Sequence, residues 1–335
     1  MSDASNTDPI DVGVYGVGNM GAHHARAYAE LRDARLVGVH DADDERAQEV
    51  AAAHGTEALG GNELLNRADA ISIAVPTAHH YDIARRAINR EVAVLIEKPL
   101  VASPSEGMDL VQRATHNGVT LQVGHVERFN PAVEALKDVL PDLEILAVDA
   151  RRLGPPVDRD GETSVVLDLM IHDLDVALSI VDADVAFVEA AAARDDRYVS
   201  ATVSFENGVV GSFRASRVTQ RKVRRLQITA VECTVEVDYI DQSIQIHRHS
   251  LPEYVETDGD LRYRHESVIE RPTVGNGEPL KNELHAFLRA VRTDDPPPVT
   301  GEDGLRALSL ANDVVRAAGI RPEPDRGPTL GGGRP

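Results

Sequence analysis

Two short segments of the sequence carry side chains that can accept or donate a proton. Glu97-Lys98-Pro99 follows the apolar run from Val92 to Ile96, and a lysine that ends a strand in a partly desolvated cleft has a lowered pKa. Asp168 and His172 lie four residues apart, so on a helix they share one face. A carboxylate in that position orients the imidazole and stabilises its cationic form, which favours a general base. A solvated lysine and a surface ion pair are the alternatives.

A metal ion would be another use for an aspartate and a histidine, because both side chains can bind zinc. No second histidine or cysteine stands at a ligand-like spacing near Asp168 and His172. We therefore expect no metal site. The single cysteine, Cys233, also excludes an intramolecular disulfide.

A glycine-rich turn near the N-terminus predicts a nucleotide site. The apolar stretch from Ile10 to Tyr15 is typical of a buried strand, and Gly16-Val17-Gly18-Asn19-Met20-Gly21 leads from it into an alanine-rich segment that favours a helix. In such a turn Gly16 permits the tight bend, Gly18 lets a pyrophosphate approach the backbone, and Gly21 lets the helix pack closely on the strand. The helix N-terminus then offers N–H groups to the phosphates.

The acid that ends the second predicted strand indicates which nucleotide binds. Asp41 lies about 20 residues past Gly21, where a dinucleotide-binding fold places the carboxylate that binds the ribose 2′-hydroxyl. It would repel the 2′-phosphate of NADP, so NAD is the expected cofactor, although Arg46 is near enough in sequence to accommodate that phosphate. Further contacts are expected on the turn and on the strand-end loops, where such sheets bind ligands: Asn19, Met20, Pro76, Thr77, His80, Glu97 and Lys98.

The order of predicted strands and helices indicates an α/β protein with two domains. Strands and helices alternate up to about residue 124, which predicts a doubly wound parallel sheet. Short strands then follow one another from residue 186 to 248, and Asn207-Gly208 is a strong hairpin signal. We therefore expect a C-terminal α+β domain with a large, mainly antiparallel open sheet. One helix is predicted over 166–181 and two more near the end of the chain.

The predicted domain boundaries follow from these changes in pattern. Residues 1–9 are polar and are expected to form a disordered leader. Residues 10–124 form the nucleotide-binding domain, and 125–321 form the substrate-binding and oligomerisation domain, whose last helix can pack back on the first domain. Residues 322–335 are rich in proline and glycine, which predicts a flexible tail.

Composition excludes several classes of protein. The 335-residue chain has a formal net charge of −20, which repels nucleic acid and anionic membranes. No apolar run reaches the roughly 18 residues of a membrane span, and the polar N-terminus lacks the features of a signal peptide. A cytoplasmic protein is therefore expected. The scarcity of lysine beside this acidity is typical of proteins from a high-salt cytoplasm, with an ordinary acidic protein as the alternative.

Several segments together resemble the Gfo/Idh/MocA oxidoreductase family. In the family's order and spacing they are GVGNMG, PTAHHYDIA, EKP, GHVERFNP, LDLMIHDLD and EPLKNELHAFLRAVRTDDPPPVTGEDGLRAL. The resemblance extends from Ile10 to about Gly319. It implies a Rossmann first domain and NAD(P)-dependent oxidation of one hydroxyl on a sugar, cyclitol or nucleotide sugar. It also implies a homodimer or homotetramer and a catalytic group formed by Lys98, Asp168 and His172.

The segments GHVERFNP and RRLGPP are similar to the branch of the family that contains UDP-N-acetylglucosamine 3-dehydrogenases. On this basis UDP-N-acetylglucosamine, oxidised at C3, is the best prediction of the substrate. Arg128, Arg151 and Arg152 could then hold its diphosphate through forked donors, and His125 could face the nicotinamide cleft. The alternatives are ordinary surface or interdomain arginines and a histidine that only ends its strand.

Three other functions are compatible with the same fold. They are an inositol or hexose dehydrogenase, a sugar transhydrogenase that holds its cofactor tightly, and a non-catalytic NAD-binding regulator. Intact Lys98, Asp168 and His172 argue against the regulator. In the predicted mechanism His172 accepts the hydroxyl proton, Lys98 stabilises the charge on the oxygen, and Asp168 orients His172. The sequence does not decide whether Lys98 or His172 is the formal base.

Overall fold

The computed structural model of the chain describes residues 8–156, 164–249, 253–257, 260–264 and 267–320. The tail predicted for 322–335 lies outside the described residues, as does the predicted leader up to residue 7. Among the described helices, none combines the length and the apolar character that crossing a bilayer requires.

The first domain is organised around a five-stranded parallel sheet. Its strands are β1 (Ile10–Tyr15), β2 (Ala34–His40), β3 (Ala70–Ile73), β4 (Ala93–Glu97) and β5 (Leu121–Gly124). They stand in the order β2-β1-β3-β4-β5, so the chain is wound outward from β1 in both directions. The carboxyl ends of β1 and β3 therefore border the crevice in which open α/β sheets bind ligands. This order confirms the predicted doubly wound parallel sheet.

Five helices of the first domain pack with this sheet. They are α1 (Asn19–Glu30), α2 (Asp44–His54), α3 (Gly61–Arg67), α4 (His80–Ile88) and α5 (Pro104–Asn117). The ends of α5 show how local sequence sets these limits. Its first turn is closed by a capping box, in which the Ser103 hydroxyl accepts from the Glu106 N–H and the Glu106 carboxylate accepts from the Ser103 N–H. It ends at Gly118, whose φ of 63° lies in the left-handed region that glycine adopts without strain.

The chain then passes through a short helix, α6 (Pro131–Glu134), into an eight-stranded sheet. Its first seven strands are β6 (Ile145–Leu153), β7 (Val185–Ala193), β8 (Tyr198–Phe205), β9 (Val210–Ser216), β10 (Val223–Ala230), β11 (Thr234–Asp238) and β12 (Ser243–His249). A separate hairpin of β13 (Glu253–Thr257) and β14 (Asp260–Arg264) follows, and β15 (Ser267–Glu270) completes the large sheet.

The order of this second sheet is β15-β12-β11-β10-β6-β9-β8-β7. Every neighbouring pair is antiparallel except β6 and β9, which are parallel. This confirms the predicted mainly antiparallel sheet. Strands β13 to β15 were not predicted, because they are short and rich in charged residues, which strands usually avoid.

The segment that carries Asp168 and His172 is not one regular helix. The sequence predicts a continuous helix over 166–181, whereas the structure has a five-residue π turn at Val166–Met170 followed by α7 (Ile171–Ile180). Such turns are rare and are frequently found at functional sites. Because a π turn is wider than an α-helical turn, the stacking expected for residues four apart does not apply to Asp168 and His172.

The last two helices return from the second sheet to the first domain. They are α8 (Pro279–Thr293) and α9 (Gly301–Ala317). Leu284 and Phe287 of α8 are fully buried in the apolar cluster that contains Val12 of β1. α9 lies so close to β5 that a Cβ atom at Gly304 would come within 2.5 Å of the Val123 side chain. Other apolar side chains of α9 belong to the core of the second domain, so this helix joins the two cores.

A carboxyl group is buried where α8 meets the first sheet. Glu283 is 0% exposed, and among the described residues neither of its carboxyl oxygens has a hydrogen-bond partner. Burial raises the pKa of Glu283 well above its ordinary value, and the negative charges of Glu97 and Asp175 raise it further. Glu283 therefore keeps its proton to a higher pH in the folded protein than in the unfolded chain.

This difference predicts a pH-dependent stability. The relevant pH range begins at the ordinary glutamate pKa of about 4.3 and ends at the raised pKa of Glu283 in the folded protein. Within this range the folded state holds a proton that the unfolded state has released. The free energy of unfolding therefore falls as the pH rises. Glu283→Gln removes the titration. We expect the variant to melt a few degrees above the wild type at pH 8, with the difference narrowing towards pH 5, as measured by differential scanning calorimetry.

The exposed Glu49 on α2 provides the control. Glu49→Gln is expected to follow the wild-type melting curve at every pH. A Glu283→Gln variant with the same pH dependence as the wild type would contradict the assignment of a protonated buried carboxyl.

Candidate active site

The glycine-rich turn lies between β1 and α1 and contains glycines of two kinds. Gly16 has a φ of 88°, and a Cβ atom there would lie 2.6 Å from Val75; a Cβ atom at Gly21 would lie 1.8 Å from the Gly16 carbonyl oxygen. The packing of the chain itself therefore requires these two glycines. A Cβ atom at Gly18 would meet nothing within 4 Å. Since no side chain caps the N-terminus of α1, the space beside Gly18 and the first N–H groups of the helix are open to a phosphate.

Asp41 lies beside this turn, as its spacing predicts. Its carboxylate accepts hydrogen bonds from the N–H of Val17 at 2.7 Å and from the N–H of Asp43 at 3.0 Å. The acid therefore joins the glycine turn to the end of β2, which is where a dinucleotide fold presents a carboxylate to the ribose. Arg46 is exposed, and its guanidinium lies 4.0 Å from the Asp43 carboxylate. The open Gly18, the uncapped helix and Asp41 together fit a dinucleotide.

One buried histidine links the loop that follows β3 to the loop that follows β4, behind the edge of the sheet where the cofactor is expected. His80 is 1% exposed, and its ring nitrogens lie 2.9 Å from the carbonyl oxygen of Val75 and 3.0 Å from that of Pro99. His80 therefore supports the two loops from beneath. Pro76 is exposed and Thr77 is half-buried on the first of these loops. At the start of α1, Asn19 is exposed and Met20 is half-buried.

Glu97 likewise lies beneath the edge. It is 8% exposed, and its carboxylate lies 2.9 Å from Nε2 of the buried His24 on α1 and accepts from the N–H of Lys98 at 3.2 Å. A side chain at Gly124 would crowd this carboxylate, since a Cβ atom there would lie 3.2 Å from it. Glu97 thus anchors the backbone from which Lys98 projects.

Lys98 reaches from the end of β4 to the π turn. Its Nζ donates to the Asp168 backbone carbonyl at 2.6 Å and to Asp168 Oδ1 at 3.0 Å. Arg217, just after β9, donates to the other carboxylate oxygen of Asp168. Burial alone would raise the pKa of Asp168, but Lys98 and Arg217 outweigh burial and lower it. Asp168 is therefore ionised and holds two cations.

His172 lies in this cationic environment as a neutral base. Burial lowers the pKa of His172 well below its usual value, and the positive charges of Lys98 and Arg152 lower it further. Its Nδ1 is buried without a hydrogen-bond partner among the described residues. The ring of His125, 1% exposed, meets the ring of His172 edge to face, with 6.4 Å between centroids. A neutral imidazole can accept a proton on its unprotonated nitrogen.

The expected pairing of Asp168 with His172 is corrected by the structure. Among the described side chains, the partners of the Asp168 carboxylate are Lys98 and Arg217. Two positive charges attract a carboxylate more strongly than a neutral imidazole does, and the π turn removes the regular helical stacking. Asp168 therefore orients Lys98 rather than His172.

Two of the arginines predicted to hold a diphosphate are engaged in internal ion pairs. Arg128 makes a forked contact with Asp175, at 2.8 and 3.2 Å. Arg152 is 4% exposed, forks onto Asp173 at 3.0 and 2.8 Å, and donates to Glu127 at 2.7 Å. The third, Arg151, is exposed on the opposite face of β6. In the structure, therefore, none of these three guanidinium groups is free to donate hydrogen bonds to a phosphate at the carboxyl edge of the first sheet.

Besides Lys98, two further basic groups at the cleft come from a segment that was not singled out from the sequence. Residues 217–225 read RVTQRKVRR, and this run of basic residues in a chain of net charge −20 was the available signal. Arg217 contacts Asp168, and Arg224 lies close enough to His172 for its charge to lower the pKa of that histidine. Within the described residues, no three His, Cys, Asp or Glu side chains are grouped so that they could hold a metal ion.

The open space at Gly18 generates a prediction about dinucleotide binding. In Gly18→Ala the added methyl group touches no protein atom but occupies the space that a pyrophosphate needs. We expect the dissociation constant for NADH to rise about tenfold or more, with the melting temperature unchanged or slightly raised. Fluorescence titration and thermal melts measure the two quantities.

Gly21→Ala is the matched control, because its methyl group would collide with the Gly16 carbonyl oxygen. It should lower the melting temperature strongly. Wild-type affinity for NADH in Gly18→Ala would argue against a phosphate at this turn.

Two family profiles match the chain. The profile described as an oxidoreductase family with an NAD-binding Rossmann fold matches residues 10–125. The profile for the C-terminal alpha/beta domain of the same family matches residues 156–320.

Named relatives cover most of the chain. A UDP-N-acetylglucosamine 3-dehydrogenase from Acidithiobacillus ferrooxidans is 33% identical over 310 residues, covering 90% of this chain and 95% of the relative. An inositol 2-dehydrogenase from Rhizobium meliloti is 27% identical over 331 residues, covering 92% of this chain and 96% of that relative. A solved structure of the Acidithiobacillus enzyme superimposes with a TM-score of 0.85 at 30% identity, covering 93% of this chain and 98% of that one. This chain therefore belongs to the Gfo/Idh/MocA family of oxidoreductases, as its motifs predict.

Proposed function

We propose that the protein oxidises a secondary hydroxyl of a nucleotide sugar, UDP-N-acetylglucosamine at C3, with NAD as the hydride acceptor. The observation that carries the proposal is an ammonium fixed at the carboxyl edge of the first sheet, near enough to a neutral imidazole for its charge to lower the pKa of that ring. Lys98 is held by Asp168, and its charge helps to keep His172 unprotonated. The similarity to a UDP-N-acetylglucosamine 3-dehydrogenase supports the choice of substrate.

The proposed roles follow from the charge state of each side chain. When bound, the nicotinamide supplies the acceptor for the hydride that leaves the oxidised carbon. His172 accepts the hydroxyl proton, since burial and the neighbouring cations leave it neutral. Lys98 donates a hydrogen bond to the same oxygen and stabilises the negative charge that develops on it. Asp168 and Arg217 keep the ammonium in place.

NAD is proposed over NADP on the evidence of Asp41. Its carboxylate lies against the glycine turn, where it would repel the phosphate that distinguishes NADP. The exposed Arg46, at 4.0 Å from the Asp43 carboxylate, has an anion nearby already. Both features favour a cofactor with a free ribose 2′-hydroxyl.

Oxidation of a free cyclitol is the second candidate. The relative named inositol 2-dehydrogenase matches nearly the same share of the chain. In addition, Arg128 and Arg152, which the sequence suggested for a diphosphate, are engaged by carboxylates. A neutral substrate would need neither arginine.

The decisive experiment is a substrate panel. NADH formation is measured with UDP-sugars, inositols and free hexoses, each with NAD and with NADP. We expect turnover with UDP-N-acetylglucosamine and NAD, and at least tenfold lower kcat/KM for free sugars and for NADP. Turnover of inositols alone would establish the second candidate, and no turnover of any compound would favour the regulator.

The proposed roles of Lys98 and His172 predict a loss of chemistry without a loss of cofactor. Lys98→Ala and His172→Ala should each lower kcat by about 10²-fold or more, while the dissociation constant for NADH stays within about threefold. Steady-state kinetics and NADH fluorescence titration measure the two effects. Lys137→Ala serves as the control, because Lys137 is an exposed lysine far along the chain from these motifs. Near-normal turnover in either active-site variant would overturn the role of that residue.

A further inference from the structure

The basic segment 217–225 supplies the cleft with a positive charge that lacks a carboxylate partner. Arg224 on β10 donates from one terminal nitrogen to the backbone carbonyls of Leu153, at 2.6 Å, and Val223, at 2.9 Å. Among the described residues no carboxylate lies within ion-pair distance of it. Its remaining N–H groups have no acceptor there either. Arginines that are half-buried normally find such a partner.

The absence of a carboxylate partner is unusual because of where Arg224 lies in the sheet. In the antiparallel register of β6 and β10, Arg224 lies directly opposite Arg152. The charge of Arg152 is matched by Asp173 and Glu127. Like charges directly opposite each other on a sheet are destabilising, and burial together with Arg152 lowers the pKa of Arg224 against the more distant attraction of Asp173, Glu127 and Asp168. Arg224 is therefore held beside a like charge, and among the described residues it has no carboxylate of its own within ion-pair distance.

The surroundings of Arg224 indicate what could balance its charge. Arg224 and the exposed Lys222 line a pocket of about 420 Å³, together with Met20 of the glycine turn and Tyr239 after β11. Two carboxylates also line it, but each has a cation of its own, since Glu127 pairs with Arg152 and Glu278 pairs with Arg26. The pocket thus opens between the nucleotide turn and the second sheet. The charge of Arg224 also reaches His172. An anion bound to Arg224 in this pocket would therefore lie between the start of α1 and the start of β10.

We propose that Arg224, assisted by Lys222, binds the diphosphate of a nucleoside diphosphate sugar and so determines the substrate class. Both cations lie on one strand-end of the second sheet, and a guanidinium with unused donors is suited to forked contacts with phosphate oxygens. These residues would take the part that the sequence suggested for Arg128, Arg151 and Arg152. The inference rests on the proposed function, because it assumes that the substrate carries a diphosphate.

Titration with UDP, which carries the diphosphate without the sugar, tests the inference independently of turnover. Isothermal calorimetry on the NADH-bound protein is compared for the wild type, Arg224→Gln and Arg225→Gln. Arg225 is the matched control, because it is the next residue on the same strand, is exposed, and pairs with Asp238 at 3.1 Å on the outer face. We expect the dissociation constant for UDP to rise roughly ten- to a hundredfold in Arg224→Gln and less than about twofold in Arg225→Gln.

Two further measurements distinguish this result from general damage. The melting temperature of Arg224→Gln without ligands should stay within a few degrees of that of the wild type, because removal of a charge opposite Arg152 offsets the loss of the hydrogen bonds to the Leu153 and Val223 carbonyls. Arg224→Lys keeps the charge but loses the forked pair of donors, so its affinity for UDP should lie between that of the wild type and that of Arg224→Gln. Unchanged affinity for UDP in Arg224→Gln would overturn the inference.

The cofactor also carries a pyrophosphate, so Arg224 could bind the diphosphate of the cofactor instead of that of the substrate. A titration with NADH distinguishes these two possibilities. The dissociation constant for NADH should stay within about twofold in Arg224→Gln. A loss of NADH affinity in place of UDP affinity would assign Arg224 to the cofactor and overturn the inference. If the wild type bound UDP through Arg224 but oxidised only inositols, the proposed function would fail together with the role of Arg224 in choosing the substrate, whereas the diphosphate site at Arg224 would stand. If UDP-N-acetylglucosamine were oxidised with an unchanged KM in Arg224→Gln, the inference alone would fail.

Discussion

The contact between Lys98 and Asp168 is the interaction on which the candidate active site depends. Lys98 ends a strand of the first sheet, whereas Asp168 lies in the π turn of the second domain, so the pair joins the two domains at the cleft. Lys98 is 16% exposed, and limited contact with water strengthens the attraction between the charges. A lysine side chain is long and flexible. Two hydrogen bonds to one residue fix where its ammonium lies.

The same cations set the protonation of the groups around them. A protein with a formal net charge of −20 gathers Lys98, Arg152, Arg217 and Arg224 around one cleft. The charges of Lys98 and Arg217 keep Asp168 ionised, and burial together with Lys98, Arg152 and Arg224 keeps His172 neutral, so a charged carboxylate and an uncharged base stand in the same site at neutral pH. Such opposed charge states within one site are typical of enzymes that move protons. The local excess of positive charge would also attract an anionic substrate against the field of the whole molecule.

The local patterns of the sequence predicted the first domain well and the polar contacts of the second domain poorly. The glycine turn and Asp41 carry short-range signals, because their roles depend on the few residues around them. The partners of Asp168 and Arg152 come from strands and helices far away in the chain, and a spacing of four residues contains no information about a lysine arriving from another sheet. The π turn added to this error, since the periodicity of Val166–Val181 is that of an ordinary helix. Arg224 could be recognised only once its strand neighbour was known.

The packing of α8 has a consequence for synthesis on the ribosome. The parallel sheet has all its strands by residue 124, yet the apolar surface that Leu284 and Phe287 cover stays bare until the chain beyond residue 279 has emerged. At about 5–20 residues per second, this interval lasts roughly eight to thirty seconds. During that time the nascent nucleotide-binding half exposes this apolar surface to solvent. Chaperones bind such surfaces, and aggregation begins at them. The half of the protein that is made first is therefore among the last to be finished.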